Sequence, residues 1–307
     1  MTATPYHIPA LLAETMELLA IKPDGVYADV TFGGGGHSRA ILERLGSDGR
    51  LLAFDRDADA AANIPDGESR LTFVLSDYRH IRNFARFHGI EAFDGILADL
   101  GVSFHHFDDS ERGFSFRSDA PLDMRMTRTA ERDAKEIVNT YSADDLRRML
   151  HSFTDLRNVG NIVNRIVTAR QKESIVTTLQ LADTVAPAIN PRQQKKDLAQ
   201  IFQALRIETN NEIDSLRKFL LSTTRLLKPS GRLAILTYHS IEDRLVKNFM
   251  KTGNLEGEEK KDFFGRVETP WKPVTRSPLV PSASEVEANP RARSAKLRVA
   301  ELLAPPK

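Results

Sequence analysis

Short apolar runs alternate with amphipathic segments between Gly25 and Ser103, at the spacing of repeated βα units. Val26-Tyr27-Ala28-Asp29-Val30 predicts a strand, followed by a glycine loop and a helix over residues 38–45. Arg50-Leu51-Leu52-Ala53-Phe54-Asp55 predicts a second strand, Thr72-Phe73-Val74-Leu75 a third, and Gly95-Ile96-Leu97-Ala98-Asp99-Leu100 a fourth. Strands this short and apolar, interleaved with helices, predict a parallel sheet covered on both faces. The rhythm then breaks. Residues 104–121 read as a polar, aromatic-rich loop, and residues 130–207 carry helical spacing with no convincing strand. The sheet resumes with a helix over residues 212–227, a stop at Lys228-Pro229-Ser230-Gly231 and a strand over residues 232–238. A tail rich in Pro and Arg closes on a strand-like run over residues 296–300. The pattern predicts a discontinuous α/β domain, residues 1–108 and 209–307, interrupted by an all-helical domain, residues 109–208.

Candidate chemistry gathers at the ends of the predicted strands. Asp29-Val30-Thr31-Phe32-Gly33-Gly34-Gly35-Gly36-His37-Ser38 lies at a strand-to-helix junction, where glycine lets backbone approach a ligand closely. Asp55 ends the next strand, placed to accept both ribose hydroxyls of a nucleoside cofactor. Asp77-Tyr78 and Asp99 end the third and fourth strands, so all face the edge where open α/β sheets bind ligands. No Tyr-x-x-x-Lys pair is present for a short-chain dehydrogenase, and no Gly-Lys for a phosphate-binding loop. S-adenosylmethionine is the common nucleoside cofactor that remains.

Composition adds two constraints. The 307 residues contain no cysteine, which excludes disulfides, thiolate metal sites and a cysteine nucleophile, and suits a cytoplasmic protein. No run approaches the roughly 18 apolar residues needed to cross a bilayer, so no membrane partner is expected. The histidines His80, His88, His105 and His106 lack ligand spacing, and no metal is expected. The net charge of +1 conceals an asymmetry: residues 1–123 hold 11 Lys/Arg and 20 Asp/Glu, residues 124–307 hold 32 and 22. A basic remainder fits a polyanionic partner, with uneven solvated faces as the alternative.

Many separated segments together carry a family resemblance. They are His7 to Glu14, Asp24 to His37, Leu51 to Asp57, Gly95 to Ser103, Asp108 to Phe116, Pro121 to Met126, Phe202 to Ile207, His239 to Arg244 and Asn289 to Ser294. In these the chain resembles the RsmH (MraW) family of ribosomal RNA cytosine-N4 methyltransferases along almost its whole length. The resemblance implies a Rossmann-like class I S-adenosylmethionine-dependent methyltransferase with an inserted helical substrate-recognition domain. Its implied target is N4 of a decoding-centre, P-site cytosine in bacterial 16S rRNA, within an assembled small subunit. It also implies that Gly35, Gly36 and His37 line the methionine part of the cofactor, with Gly33 also in the cofactor site, Asp55 on the ribose, Tyr78 beside the adenine and Asp99 at the sulfonium. His106 stands where the family places a cofactor-contacting Gln.

Methylation at C5 of cytosine generally needs a cysteine that attacks C6, and this chain has none. The exocyclic amine instead needs hydrogen-bond acceptors that take its proton. Asp99 is the leading acceptor, with a purely cofactor-binding role as the alternative; Asp123 and His239 are helpers, His239 alternatively a turn cap. Arg112, Phe114 and Phe116 are candidates to receive an unstacked base, against the alternative that the two rings pack the loop. Arg125, Arg291 and Arg293 are candidates for RNA phosphates. The competing readings are a methyltransferase of DNA or of a small amine, and an assembly factor without turnover; a homodimer surface is the alternative role for the helical domain.

Overall fold

Seven strands form one sheet in the order β3-β2-β1-β4-β5-β7-β6 in a computed structural model that describes residues 9–101 and 110–304. They are β1 (Val26–Asp29), β2 (Arg50–Asp55), β3 (Leu71–Leu75), β4 (Phe93–Asp99), β5 (Leu227–Thr237), β6 (Trp271–Pro273) and β7 (Lys296–Leu302). The first five are parallel, and β7 runs antiparallel to both β5 and β6. This is a doubly wound, Rossmann-like sheet. Every residue of β4 except Asp99 is buried, as a central strand covered on both faces requires. The order reverses between β1 and β4, so the crevice for a ligand opens beyond Asp29 and Asp99, their last residues.

The chain divides into two compact units, residues 1–101 with 214–307, and residues 102–213. Two differences from the sequence pattern have local causes. The predicted stop at residues 228–231 is a bulge inside β5: register with β4 jumps from Phe93↔Leu227 to Gly95↔Arg232, and Ser230 takes φ +64° in the excursion. The short edge strand β6 was hidden in the proline-rich tail, because Pro273 is tolerated only where no ladder donor is needed. Trp271 anchors that strand, 1% exposed and packed 5.5 Å from the Phe249 ring.

The second unit has the expected helical character. Its helices are Ala134–Thr140, Ala143–Phe153, Val159–Arg170, Thr178–Val185 and Gln194–Thr209, and no strand longer than one isolated bridge occurs among its described residues. The starts follow from the sequence: Asp133 accepts from the Glu136 N–H, Ser142 from the Asp145 N–H, and Thr177 forms a capping box with Gln180. Leu146 and Leu150, Ile162 and Ile166, Leu181 and Val185, and Leu198, Ile201 and Leu205 recur every three or four residues along their helices and meet in its core.

One polar side chain ties the loop before these helices to the last of them. Met124 is fully buried at φ +61°, a conformation that strains any residue with a side chain. Asn210 holds it there, donating to the Met124 and Arg206 carbonyls at 2.8 and 2.9 Å and accepting from the Met126 N–H at 2.8 Å. Asn210→Ala leaves those backbone groups buried without this partner, so a loss of about 2–3 kcal/mol is expected. A denaturant midpoint lowered by less than 1 kcal/mol in equivalent stability would contradict it. No described helix is long and apolar enough to cross a membrane.

Candidate functional site

The glycine loop between β1 and the helix Gly36–Leu42 uses its glycines for different purposes. Gly35 sits at φ +73°, and a Cβ there would press on the Phe32 ring at 3.0 Å. A Cβ on Gly36 would strike Pro9 at 2.3 Å, so that glycine is required by packing. At Gly33, φ +50°, a Cβ would meet nothing nearer than the Thr31 carbonyl at 3.9 Å. Bare backbone with open space before it is what a closely approaching ligand uses.

Asp55 fastens this loop. Its Oδ2 accepts from the Gly33 N–H at 2.7 Å and its Oδ1 from the Asp57 N–H at 2.8 Å. Asp77, at the end of β3, is committed elsewhere. It is ion-paired with Arg56 and Arg79 and accepts from the Ser215 hydroxyl at 3.0 Å. Burial alone would raise its pKa, but the two guanidinium groups hold it below the usual carboxylate range. Tyr78 is half-buried in the turn after β3, its ring edge-on to Phe219 at 5.3 Å.

The acid-rich centre lies where β1 and β4 end. Asp29 is 1% exposed and accepts from Ser38 Oγ at 2.6 Å and from the Thr31 N–H at 3.1 Å. Thr31 Oγ1 in turn accepts from the Asp99 N–H at 2.6 Å, which locks the two strand ends together. Asp99 Oδ1 accepts from the Tyr238 hydroxyl at 2.7 Å, and its Oδ2 lies 3.5 Å from His37 Nδ1. Burial pushes the Asp29 carboxyl up to about 6 and the Asp99 carboxyl up to about 7. The Tyr238 hydrogen bond opposes the rise at Asp99, while Asp29 and Glu242 reinforce it. Burial and the Asp99 charge push the Tyr238 phenol far above its ordinary value, so it stays a proton donor. A carboxyl poised near neutrality, one-fifth exposed at the crevice, is suited to proton transfer.

His239 takes the capping role. Its Nδ1 accepts from the Glu242 N–H at 3.5 Å, and Nε2 lies 3.1 Å from Glu242 Oε1, fixing the ring at the start of the helix Ser240–Thr252. Tyr238, one residue earlier, is the group sequence reasoning missed. The signal was available: it follows the apolar run of β5 as Asp99 follows that of β4, a fifth strand end on the same edge.

Several expected RNA contacts are corrected by burial. Arg112 is 5% exposed, donates to the Arg125 and Met126 carbonyls at 2.9 Å, and lies over the Phe114 ring. Phe114 is 6% exposed in the core of the second unit, and Phe116 packs edge-on against Phe202 at 5.2 Å. Arg112 and Phe114 hold the loop from within the core, and Phe116, partly buried, packs against the same core through Phe202. Asp123 is clamped by Arg125 through two oxygens at 2.8 and 2.7 Å. Burial would raise its pKa, but that guanidinium holds it below the usual range, and a carboxylate so stabilised is a poor proton acceptor. Arg125 also donates to the Ala130 carbonyl at 2.8 Å, so its charge is largely engaged. Arg291 and Arg293 are exposed on the turn Pro290–Ser294. His106 lies outside the described residues.

Comparison with known proteins decides the family. The family model described as the MraW methylase family matches residues 4–303. The chain belongs to the MraW methylase family. It is therefore a methyltransferase. Proteins named ribosomal RNA small subunit methyltransferase H are similar throughout: one from Bacteroides thetaiotaomicron is 52% identical over 296 residues, covering 96% of this chain and 97% of its own. Another, from Flavobacterium johnsoniae, is 50% identical over 301 residues, 98% of this chain and 99% of its own. A solved structure titled putative rRNA-methylase from Clostridium thermocellum aligns at 12% identity and TM-score 0.45, covering 97% and 100% of the two chains. For a MraW methylase built this way, Tyr238→Phe removes the hydrogen bond that favours ionised Asp99. Its carboxyl pKa then rises, so the acid limb of the methyl-transfer profile moves to higher pH. A bond of about 1.4 kcal/mol corresponds to about tenfold in rate on that limb. An unmoved profile would show that the phenol does not tune Asp99.

Proposed function

We propose that this MraW methylase transfers a methyl group from S-adenosylmethionine to N4 of a decoding-centre cytosine in the 16S rRNA of the small ribosomal subunit, with the assembled subunit as substrate. The observation that carries the reading is Asp99: a near-neutral carboxyl at the β1–β4 switch point, hydrogen-bonded by Tyr238 and joined through Thr31 to the glycine loop. The relatives' names, ribosomal RNA small subunit methyltransferase, supply the substrate class.

The residues fit the cofactor. The uncrowded backbone at Gly33 suits close contact, and the Asp55 carboxylate at the end of β2 stands where it could receive the two ribose hydroxyls. Gly35, Gly36 and His37 would face the methionine portion, Tyr78 the adenine side, and Asp99 the sulfonium. S-adenosylmethionine supplies an electrophilic methyl and departs as the neutral thioether S-adenosylhomocysteine. Asp99 then has two tasks. Its charge favours the cationic end of the cofactor in the ground state, and its Oδ2, not used by Tyr238, takes the proton that N4 loses as the N–C bond forms. Asp29, Thr31 and Tyr238 act by fixing Asp99 rather than by touching the base.

The helical unit, residues 102–213, is proposed as the substrate-recognition module, with Arg291 and Arg293 as phosphate contacts. The test is transfer of tritium from labelled S-adenosylmethionine to small subunits purified from a strain lacking the enzyme. Label in N4-methylated cytidine after nuclease digestion is expected. Tight subunit binding without transfer would favour the assembly-factor reading, and label on another base would replace the target.

A further inference from the structure

Two of the most exposed apolar side chains sit next to each other at the tip of one hairpin. Phe263 is 98% exposed and Phe264 79%. The hairpin is held by its backbone: the Glu268 N–H donates to the Lys260 carbonyl at 2.7 Å and the Asp262 N–H to the Arg266 carbonyl at 2.9 Å. Its three-residue loop, Phe263-Phe264-Gly265, closes with the Gly265 N–H on the Asp262 carbonyl at 3.0 Å and Gly265 at φ +78°. Asp262 Oδ1 accepts from the N–H groups of Phe264 and Arg266, both at 2.8 Å, so its charge is turned inward on the loop. The tip is therefore a built presentation of two rings.

Its chemistry matches nucleic acid. The rings stand 5.6 Å apart at 88°, offering a face and an edge rather than one flat apolar patch. Arg266 lies 6.0 Å from the Phe264 ring, and residues 260–268 hold Lys260, Lys261 and Arg266 against Asp262 and Glu268, with Lys261 ion-paired to Glu259 at 3.5 Å. Unstacked RNA bases stack on such rings and guanidinium planes, while Lys260 and Arg266 beside the rings can meet phosphate. A lipid surface would need a broader apolar area than two crossed rings provide.

The topology sets the tip apart from the reaction centre. Lys296, the first residue of β7, pairs with Thr237 at the carboxyl end of β5, whereas Leu302, its last residue, pairs with Trp271 at the start of β6. The hairpin joins the end of the helix Ser240–Thr252 to Trp271, so it emerges at the edge opposite Asp99. A 13-residue helix spans roughly 20 Å, and no base being methylated reaches the tip.

We propose that the Phe263–Phe264 hairpin is a remote RNA-stacking finger that anchors the substrate away from the methylated base. This rests on the reading of ribosomal RNA as substrate. In the full chain, the double variant Phe263→Ala/Phe264→Ala is expected to raise the KM for unmethylated small subunits about tenfold or more, since each base–ring stack contributes about 1–3 kcal/mol. Its kcat and its S-adenosylmethionine affinity should stay within twofold. Phe264→Trp should keep the wild-type KM and add fluorescence that deproteinised 16S rRNA quenches; the natural Trp271 is buried and serves as background. An unchanged KM in the double variant overturns the finger. A raised KM with an unquenched probe overturns the RNA assignment in favour of a ribosomal protein. Sedimentation of the wild type, but not the double variant, with phosphatidylglycerol vesicles and no change in KM makes the finger a membrane contact instead. Wild-type protein that methylates no subunit sinks the substrate reading alone, because probe quenching by rRNA is read without turnover.

Discussion

Asp99→Asn is expected to lower methyl transfer at saturating cofactor by about 10²–10⁴-fold, the usual contribution of a positioned general base. The amide keeps an oxygen for the Tyr238 hydroxyl, so the pocket's geometry survives while the proton acceptor is lost. The pH dependence separates this from cofactor binding. With Asp99 as the proposed base the active form is the carboxylate, so the wild-type rate should rise with pH and level off above an inflection set by a carboxyl raised to about 7. A sulfonium beside Asp99 favours the charged form, which places the inflection of the loaded enzyme below that of the free enzyme. The variant should be slow and flat across the same range. Stability gives a second readout with a fixed sign. A folded-state pKa raised above 3.8 means that the native state holds the proton more tightly, so stability is lost as pH rises through about 7. Asp99→Asn should therefore melt higher than wild type at pH 8, the difference fading toward pH 5. Wild-type turnover in a variant with this melting behaviour would remove Asp99 from the proton path.

How much of this was legible depended on whether local pattern or tertiary packing fixes a residue's role. Asp55 and Asp99 were readable because each is the polar last residue of an apolar run, and the period of a strand alone places such a residue at the sheet's edge. Asp29 and Tyr238 obey the same rule and escaped notice for different reasons. Asp29 sits inside an apolar run that continues to Val30, and Tyr238 follows the apolar run of β5 as one more aromatic residue. Arg112, Phe114 and Asp123 were misread because an arginine beside aromatic residues looks the same in sequence whether its donors meet phosphate or backbone carbonyls. Only burial of the Arg112 guanidinium on the 125–126 turn distinguishes them. The aromatic hairpin had the opposite fault. Phe263 and Phe264 look like core residues in a composition, and their exposure follows from a three-residue turn that periodicity does not detect.

The second large effect is expected at Asp55, where the loop's architecture and the cofactor's ribose compete for one carboxylate. Asp55→Ala deletes the acceptor of the Gly33 and Asp57 N–H groups, and with them the tie between the glycine loop and β2. It also removes the group that would receive both ribose hydroxyls. Hydrogen bonds to a charged partner contribute about 1.5–3 kcal/mol each, so losing two predicts S-adenosylmethionine and S-adenosylhomocysteine binding weaker by about 100-fold or more in calorimetry. Asp55→Asn separates the two roles. Its oxygen preserves one backbone acceptor, but its amide offers donors where the second N–H and a hydroxyl need an acceptor, so loss of cofactor affinity should be partial and loss of fold small. The two variants should therefore rank Ala below Asn in affinity while both retain the native melting cooperativity. The helical unit, whose core shares no residue with this loop, should be untouched in its own hydrogen-exchange protection. Affinity within threefold of wild type in Asp55→Ala would mean that the carboxylate serves only the loop. The ribose would then need another partner, and the assignment of this crevice to an adenosine-bearing donor would have to be rebuilt from the Gly33 backbone alone.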